Sequence, residues 1–223
     1  MEETSVNKPE IAETSVKEVI IKGYKEYYLT HGHDPESIYV FCKELGISEV
    51  DFYQHYNSFD QIRSAYWSFI FNSVVDKMKS SPEYTEFSVR EKMLSFCYAF
   101  FERLKQDRSF ALLSMPADWY NWTVKNNDLQ DLKQDFKSWV KQLVHEGQSS
   151  GEIAGRSKFN DAYDQLFWMH FNFILKFWKE DKSRGFEKTD EAVEKSTALA
   201  FDLIEKNALD SAFDLGKFLF QMR

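Results

Sequence analysis

Start and stop signals for short helices crowd the first quarter of the chain, and their spacing restricts the fold more than any other feature. Gly32 ends a stretch in which Val19, Ile20, Gly23, Tyr24, Tyr27 and Tyr28 recur at helical spacing. Asp34-Pro35 and Ser37 then offer starts for a short helix, SIYVFCKEL, that Gly46 terminates. Ser48 caps the next segment, with Asp51 three residues on as the acidic partner of a capping box. Two short helices joined by a glycine turn, behind a longer first helix, predict a helix-turn-helix.

Ser58 and Gln61 repeat the capping logic and open a longer helix through Ile62, Tyr66, Phe69, Ile70 and Val74 to about Met78, where SSPEYTEF breaks it. Ser88 with Glu91 opens a fifth helix bearing Met93, Phe96, Cys97, Phe100, Phe101 and Leu104. The segment Phe110 to Trp122 reads as irregular. Helical pattern resumes over Leu129–Val144, gives way to the loop EGQSSGEIAGRS, returns over Phe159–Lys179, and recurs from about Thr189 to Phe220. With 21 Phe but only 8 Gly and 4 Pro, the chain is too apolar for disorder and too poor in turn residues for an all-β fold. The expected fold is all-α in two parts. A three-helix helix-turn-helix domain occupies 1–60, with residues 1–14 as a tail, and a larger helical domain occupies 61–223.

Cys42 and Cys97 show neither CxxC spacing nor a disulfide framework and are expected as buried thiols in a reducing compartment. The polar, acidic N-terminus lacks the basic and apolar regions of a signal peptide, and the apolar run at 167–178 is interrupted by His170, Asn172 and Lys176 and is too short to span a bilayer. A cytoplasmic protein is expected. Metal chemistry is not: His31, His33 and Asp34 supply no third ligand at regular spacing, and His145-Glu146 lacks the second histidine of an HExxH site. No phosphate loop, nucleophile elbow or carboxylate pairing is visible, so neither enzymatic activity nor a cofactor is expected.

The residues around the helix-turn-helix resemble the TetR family of bacterial transcription regulators. In that family a first helix ending in glycine precedes a core of the form Thr-x-x-x-Ile-Ala-x-x-Ala-Gly-Val-Ser-x-Gly-Thr-Leu-Tyr-x-His-Phe. Here Ile20, Gly23, Tyr28 and Gly32 fit the first helix, and Ser37, Phe41, Cys42, Leu45, Gly46, Ile47, Ser48, Phe52, Tyr53, His55 and Tyr56 fit the second part without a gap. The resemblance spans about residues 16–64 and implies DNA binding, with Ser37, Tyr39, Ser48, Tyr53 and His55 as backbone or base contacts; the acidic Glu49 or Asp51, where the sequence departs from the family, is a candidate acceptor from a cytosine amino group. It also implies a second domain that holds a small molecule and forms a homodimer through the last two long helices.

Charge opposes the DNA-binding part of that expectation. Residues 1–70 hold six Lys/Arg against twelve Asp/Glu, a net of −6, whereas the rest of the chain has a net of −2. Val50 and Asp51 stand where the family has glycine and Thr/Ser, and Phe59 replaces its phosphate-contacting lysine. Because phosphate neutralisation supplies most non-specific affinity, weak or altered DNA binding is expected. In the second domain the aromatic wealth points to an apolar or aromatic ligand held by Phe96, Phe100, Trp119, Trp122, Trp139 and Trp168, with His170 orienting it. The leading expectation is a ligand-responsive transcription regulator. Its rival is a protein of the same fold that has given up DNA and holds a lipid or other apolar molecule.

Overall fold

The capping signals form as written. In a computed structural model that describes residues 13–115, 129–153 and 160–205, Gly32 and Gly46 adopt left-handed backbone angles, φ 75° and 69°, at the ends of the first two helices. The Ser48–Asp51 and Ser88–Glu91 capping boxes are both closed in the two directions. Among the described residues the helices are α1 (Glu13–His31), α2 (Ile38–Leu45), α3 (Glu49–Tyr53), α4 (Phe59–Lys79), α5 (Val89–Gln106), α6 (Arg108–Ser114), α7 (Gln130–Ser150), α8 (Asn160–Glu180) and α9 (Glu187–Glu205). They contain no strand, and no helix is long and apolar enough to cross a membrane.

The first three helices and the start of α4 build a small aromatic core. Ile20, Tyr24, Phe41, Phe52 and Tyr56 are buried in it. Gly23 is required where α1 crosses α2, since a Cβ there would lie 2.3 Å from Leu45 Cδ2. The remaining helices form the larger body, in which α4 packs on α5 and α7, α7 on α8, and α9 on α8 and α5.

Three boundaries differ from the sequence pattern. The stretch read as irregular from Phe110 begins as helix α6, and its start signal is hidden because the Asp107 carboxylate makes no cap bond. It is engaged instead by Lys25, Arg103 and the Tyr66 hydroxyl. Helix α7 continues through EGQSS to Ser150 rather than ending in a loop near Val144. Gly147 belongs to that helix because Ile153 and Val89 crowd it, Ile153 Cδ1 lying 2.8 Å from where a Cβ would be. Gly151, at φ 84°, makes the stop. The reading helix, expected from the sequence to run from Glu49 to Tyr56, ends as α3 at Tyr53.

Candidate functional site: the reading head and the α8–α9 face

Phe59 lies inside the head. Its ring stacks on Tyr24 at 5.5 Å and 15° and meets Phe41 and Phe52 edge-on at 5.5 and 6.1 Å. The residue at the family's lysine position is therefore a partly buried ring packed against the head's core.

The head's cations are drawn inward. Arg63 pairs with Asp34 at 2.7 Å and with Asp60, and Lys25 pairs with Asp107 at the junction of α5 and α6. Of the five cations between Ser15 and Ile70, Lys17, Lys22 and Lys43 remain exposed. Burial raises the Cys42 thiol above its ordinary range, and the carboxylates of Glu49 and Asp51 add to that rise, so the negative field of α3 reaches back through the turn.

The seven positions expected to meet DNA separate into two kinds. Ser48 and Asp51 satisfy each other, with Ser48 Oγ donating to Asp51 Oδ2 at 2.7 Å and Asp51 N–H donating to Ser48 Oγ at 3.1 Å. Cytosine readout by Asp51 would compete with a cap worth about 1 kcal/mol. Ser37 accepts from Val40 N–H as the cap of α2. Tyr39, Glu49 and Tyr53 face solvent, Tyr39 being 60% and Tyr53 49% exposed, and His55 is half-buried.

The head meets the body along a seam centred on Phe110 of α6. Its ring lies 6.2 Å from both Tyr24 and Tyr28 of α1 and 4.7 Å from Tyr66 of α4. The next link lies one residue from the Lys25–Asp107 pair. Arg108 sits 4.4 Å from both the Trp178 and Phe186 rings and donates to the Trp178 carbonyl at 3.1 Å, gripping the end of α8.

The expected ligand residues fall into three groups. Phe96, Phe100, Trp139 and Trp168 come together in the body around Phe136 and Phe171, with Phe96 to Trp139 at 4.7 Å and Phe136 to Trp168 at 5.7 Å. Trp119 and Trp122 lie outside the described residues. His170 points to α9, where Nε2 lies 3.2 Å from Thr197 Oγ1 and buried Nδ1 has no hydrogen-bond partner among the described residues. Burial holds its imidazole down at about 4.

His170 borders a groove of about 630 Å³ between α8 and α9. Its walls include Leu166, Met169, Phe173 and Phe177 from α8 and Ala192, Leu199 and Leu203 from α9. Met169, Phe173 and Leu199 are 44%, 52% and 60% exposed, and Lys188, Glu191 and Lys195 supply charge along the α9 side. The sequence marks this face only through the apolar circumference of α8, since its inner stripe at 167, 171, 174 and 178 hides the outer one at 166, 169, 173 and 177.

The family model described as tetracyclin repressor-like, C-terminal domain, matches residues 92–219, more than half of the chain. Among solved structures, a Syntrophomonas wolfei protein assigned to the TetR family of transcriptional regulators superposes with a TM-score of 0.60 at 13% identity, covering 87% of this chain and 99% of that one. A Rhodococcus sp. RHA1 protein of unknown function gives 0.56 at 14% identity, covering 89% of this chain and all of that one. At such identities the likeness is one of fold. No curated protein matches the sequence.

Proposed function

This chain belongs to the TetR family of transcription regulators, and we propose that it works there as a homodimeric, ligand-responsive regulator, not an enzyme, whose heads bind duplex DNA weakly. The observation that carries this reading is the outer face of α8 and α9. Met169, Phe173 and Leu199 stand in water there, although burying apolar surface is favourable by about 25 cal/mol per Å². The mixed charges of Lys188, Glu191 and Lys195 let the face complement a copy of itself about a two-fold axis. The working division is a head at 1–60 and a ligand-binding, dimerising part at 61–223.

A ligand acts on such a protein only by favouring one arrangement of the two heads. The contacts of Phe110 with α1, together with the adjacent Lys25–Asp107 and Arg108–α8 links, support a path from body to head. The ligand is apolar or aromatic, held near Phe96, Phe100, Trp139 and Trp168 with Trp119 and Trp122. Weak DNA binding is supported by Phe59 packed against the head's core and by the pairing of Lys25 and Arg63 with carboxylates of this chain.

Equilibrium sedimentation at micromolar concentration is expected to give twice the 26.5 kDa chain mass. A monomer under those conditions would sink the dimer and the coupling built on it. The acidic head also favours a second reading, a carrier of an apolar molecule that no longer uses DNA. Native mass spectrometry showing a co-purified apolar molecule, together with no duplex binding at low salt, would select the carrier.

A further inference from the structure

We propose that the outward face of α2 and α3 docks a basic protein segment rich in Lys and Arg, in place of duplex DNA. Tyr39 of α2 and Val50 and Tyr53 of α3 are 60%, 67% and 49% exposed, while Phe41 and Phe52 on the opposite sides of the same helices fill the core. Val50 and Tyr53, three residues apart, share one side of α3. Packing does not require these side chains to be apolar.

The surroundings select the partner by charge. Glu36, Glu44 and Glu49 are exposed on or beside the two helices, and Lys43 is the sole lysine or arginine between residues 26 and 62. With three exposed carboxylates against Lys43, the face is net acidic and disfavours a second copy of itself, a phosphate backbone and an anionic bilayer alike. It attracts a cation, and tyrosine adds a ring face over which a guanidinium or ammonium group is favoured while a partner's aliphatic side chains cover Val50. An anionic duplex would need the opposite pattern, a basic stripe along the reading helix. The proposal rests on the reading that the heads bind DNA weakly, and it adds what they bind instead.

The test uses the full chain and three fluorescein-labelled probes: a lysine- and leucine-rich amphipathic peptide, the same peptide with glutamate for lysine, and a generic DNA duplex. Anisotropy titrations at physiological salt are expected to show binding of the lysine peptide alone. Tyr53→Ala and Glu49→Lys should each weaken it roughly tenfold or more, as loss of a central aromatic or reversal of a facing charge does at interfaces. Glu86→Lys, an exposed site between α4 and α5, changes net charge equally and should leave it unaltered. Circular dichroism checks that the exposed-site variants fold. The proposal fails if the lysine peptide does not bind, or if Glu49→Lys and Glu86→Lys weaken it alike, which marks attraction to net charge. Tight duplex binding lost in Tyr53→Ala would overturn both this proposal and the weak-DNA reading. Silence of peptide and duplex together would remove the docking partner and leave that reading standing.

Discussion

Two of the outward faces that expose large apolar side chains differ in how charge surrounds them. On α8 and α9, Met169, Phe173 and Leu199 are accompanied by Lys188 and Lys195 with Glu191 between them. On α2 and α3, Tyr39, Val50 and Tyr53 are accompanied by Glu36, Glu44 and Glu49 against Lys43. Apolar exposure alone says that a surface prefers cover. The charge balance says which cover: a nearly balanced face tolerates its own copy, whereas a net acidic face favours a basic partner.

The sharpest test of that contrast is at Phe59, because it asks whether the head's charge pattern is independent of its packing. Restoring the family's residue with Phe59→Lys removes a ring packed on Tyr24, Phe41 and Phe52 and brings an ammonium group to their edge. We expect a loss of about 3 kcal/mol, at the low end for large aromatic truncations because the ring is only partly buried, seen as faster amide exchange across α1 to α4 and a lower urea midpoint. A stable variant with raised DNA affinity would show that Phe59 had merely displaced a surface lysine.

The α8–α9 side is next, through pH. The His170 imidazole has its pKa lowered by burial to about 4, against an ordinary 6.5. The unfolded chain therefore binds the extra proton in the window between those values. Stability conferred by neutral His170 is complete above about pH 6.5 and is lost as pH falls toward 4, a change on the order of 3 kcal/mol. Urea titrations at pH 7 and 4.5 should show this drop in the wild type and a smaller one in His170→Gln. Equal drops would mean that other groups govern the acid response.

A substitution on the mixed face should separate assembly from folding. Leu199→Asp adds a charge where a second copy would close over the groove, and it should weaken self-association by about 2 kcal/mol, roughly thirtyfold. Sedimentation would show a shift to monomer at unchanged helicity, while association untouched by this change would move the dimer contact elsewhere. The smallest effect is expected at the seam. Lys25→Met removes the pair with partly exposed Asp107 for about 1 kcal/mol. Its signature is faster exchange in α1 without change in α9, and uniform loosening of both would show that no distinct seam exists.

Much of the fold could be read before any coordinates, because helix ends are local events. Ser48 reaches Asp51, and Ser88 reaches Glu91, within a single turn, so the capping boxes depend on neighbours three residues away. Asp107 shows where that reading fails. Its carboxylate serves Lys25 of α1 and Tyr66 of α4 as well as Arg103 four residues back, so it makes no side-chain cap for α6. Gly147 fails in the same way, since it reads as a loop residue until Ile153 is seen to occupy the space of its Cβ.

The candidate sites divide along the same line. The order of residues alone determined an all-α chain with a helix-turn-helix, an acidic head and an aromatic body, since caps, periodicity and net charge are sums over local sequence. Tertiary structure decided which charges and rings remain outside. It packed Phe59 against the head's core, paired Lys25 and Arg63 with carboxylates of this chain, set His170 against Thr197, and left Tyr53 and Phe173 facing water. Those assignments depend on which helices cross and how closely, because a side chain's exposure is set by what other segments place against it.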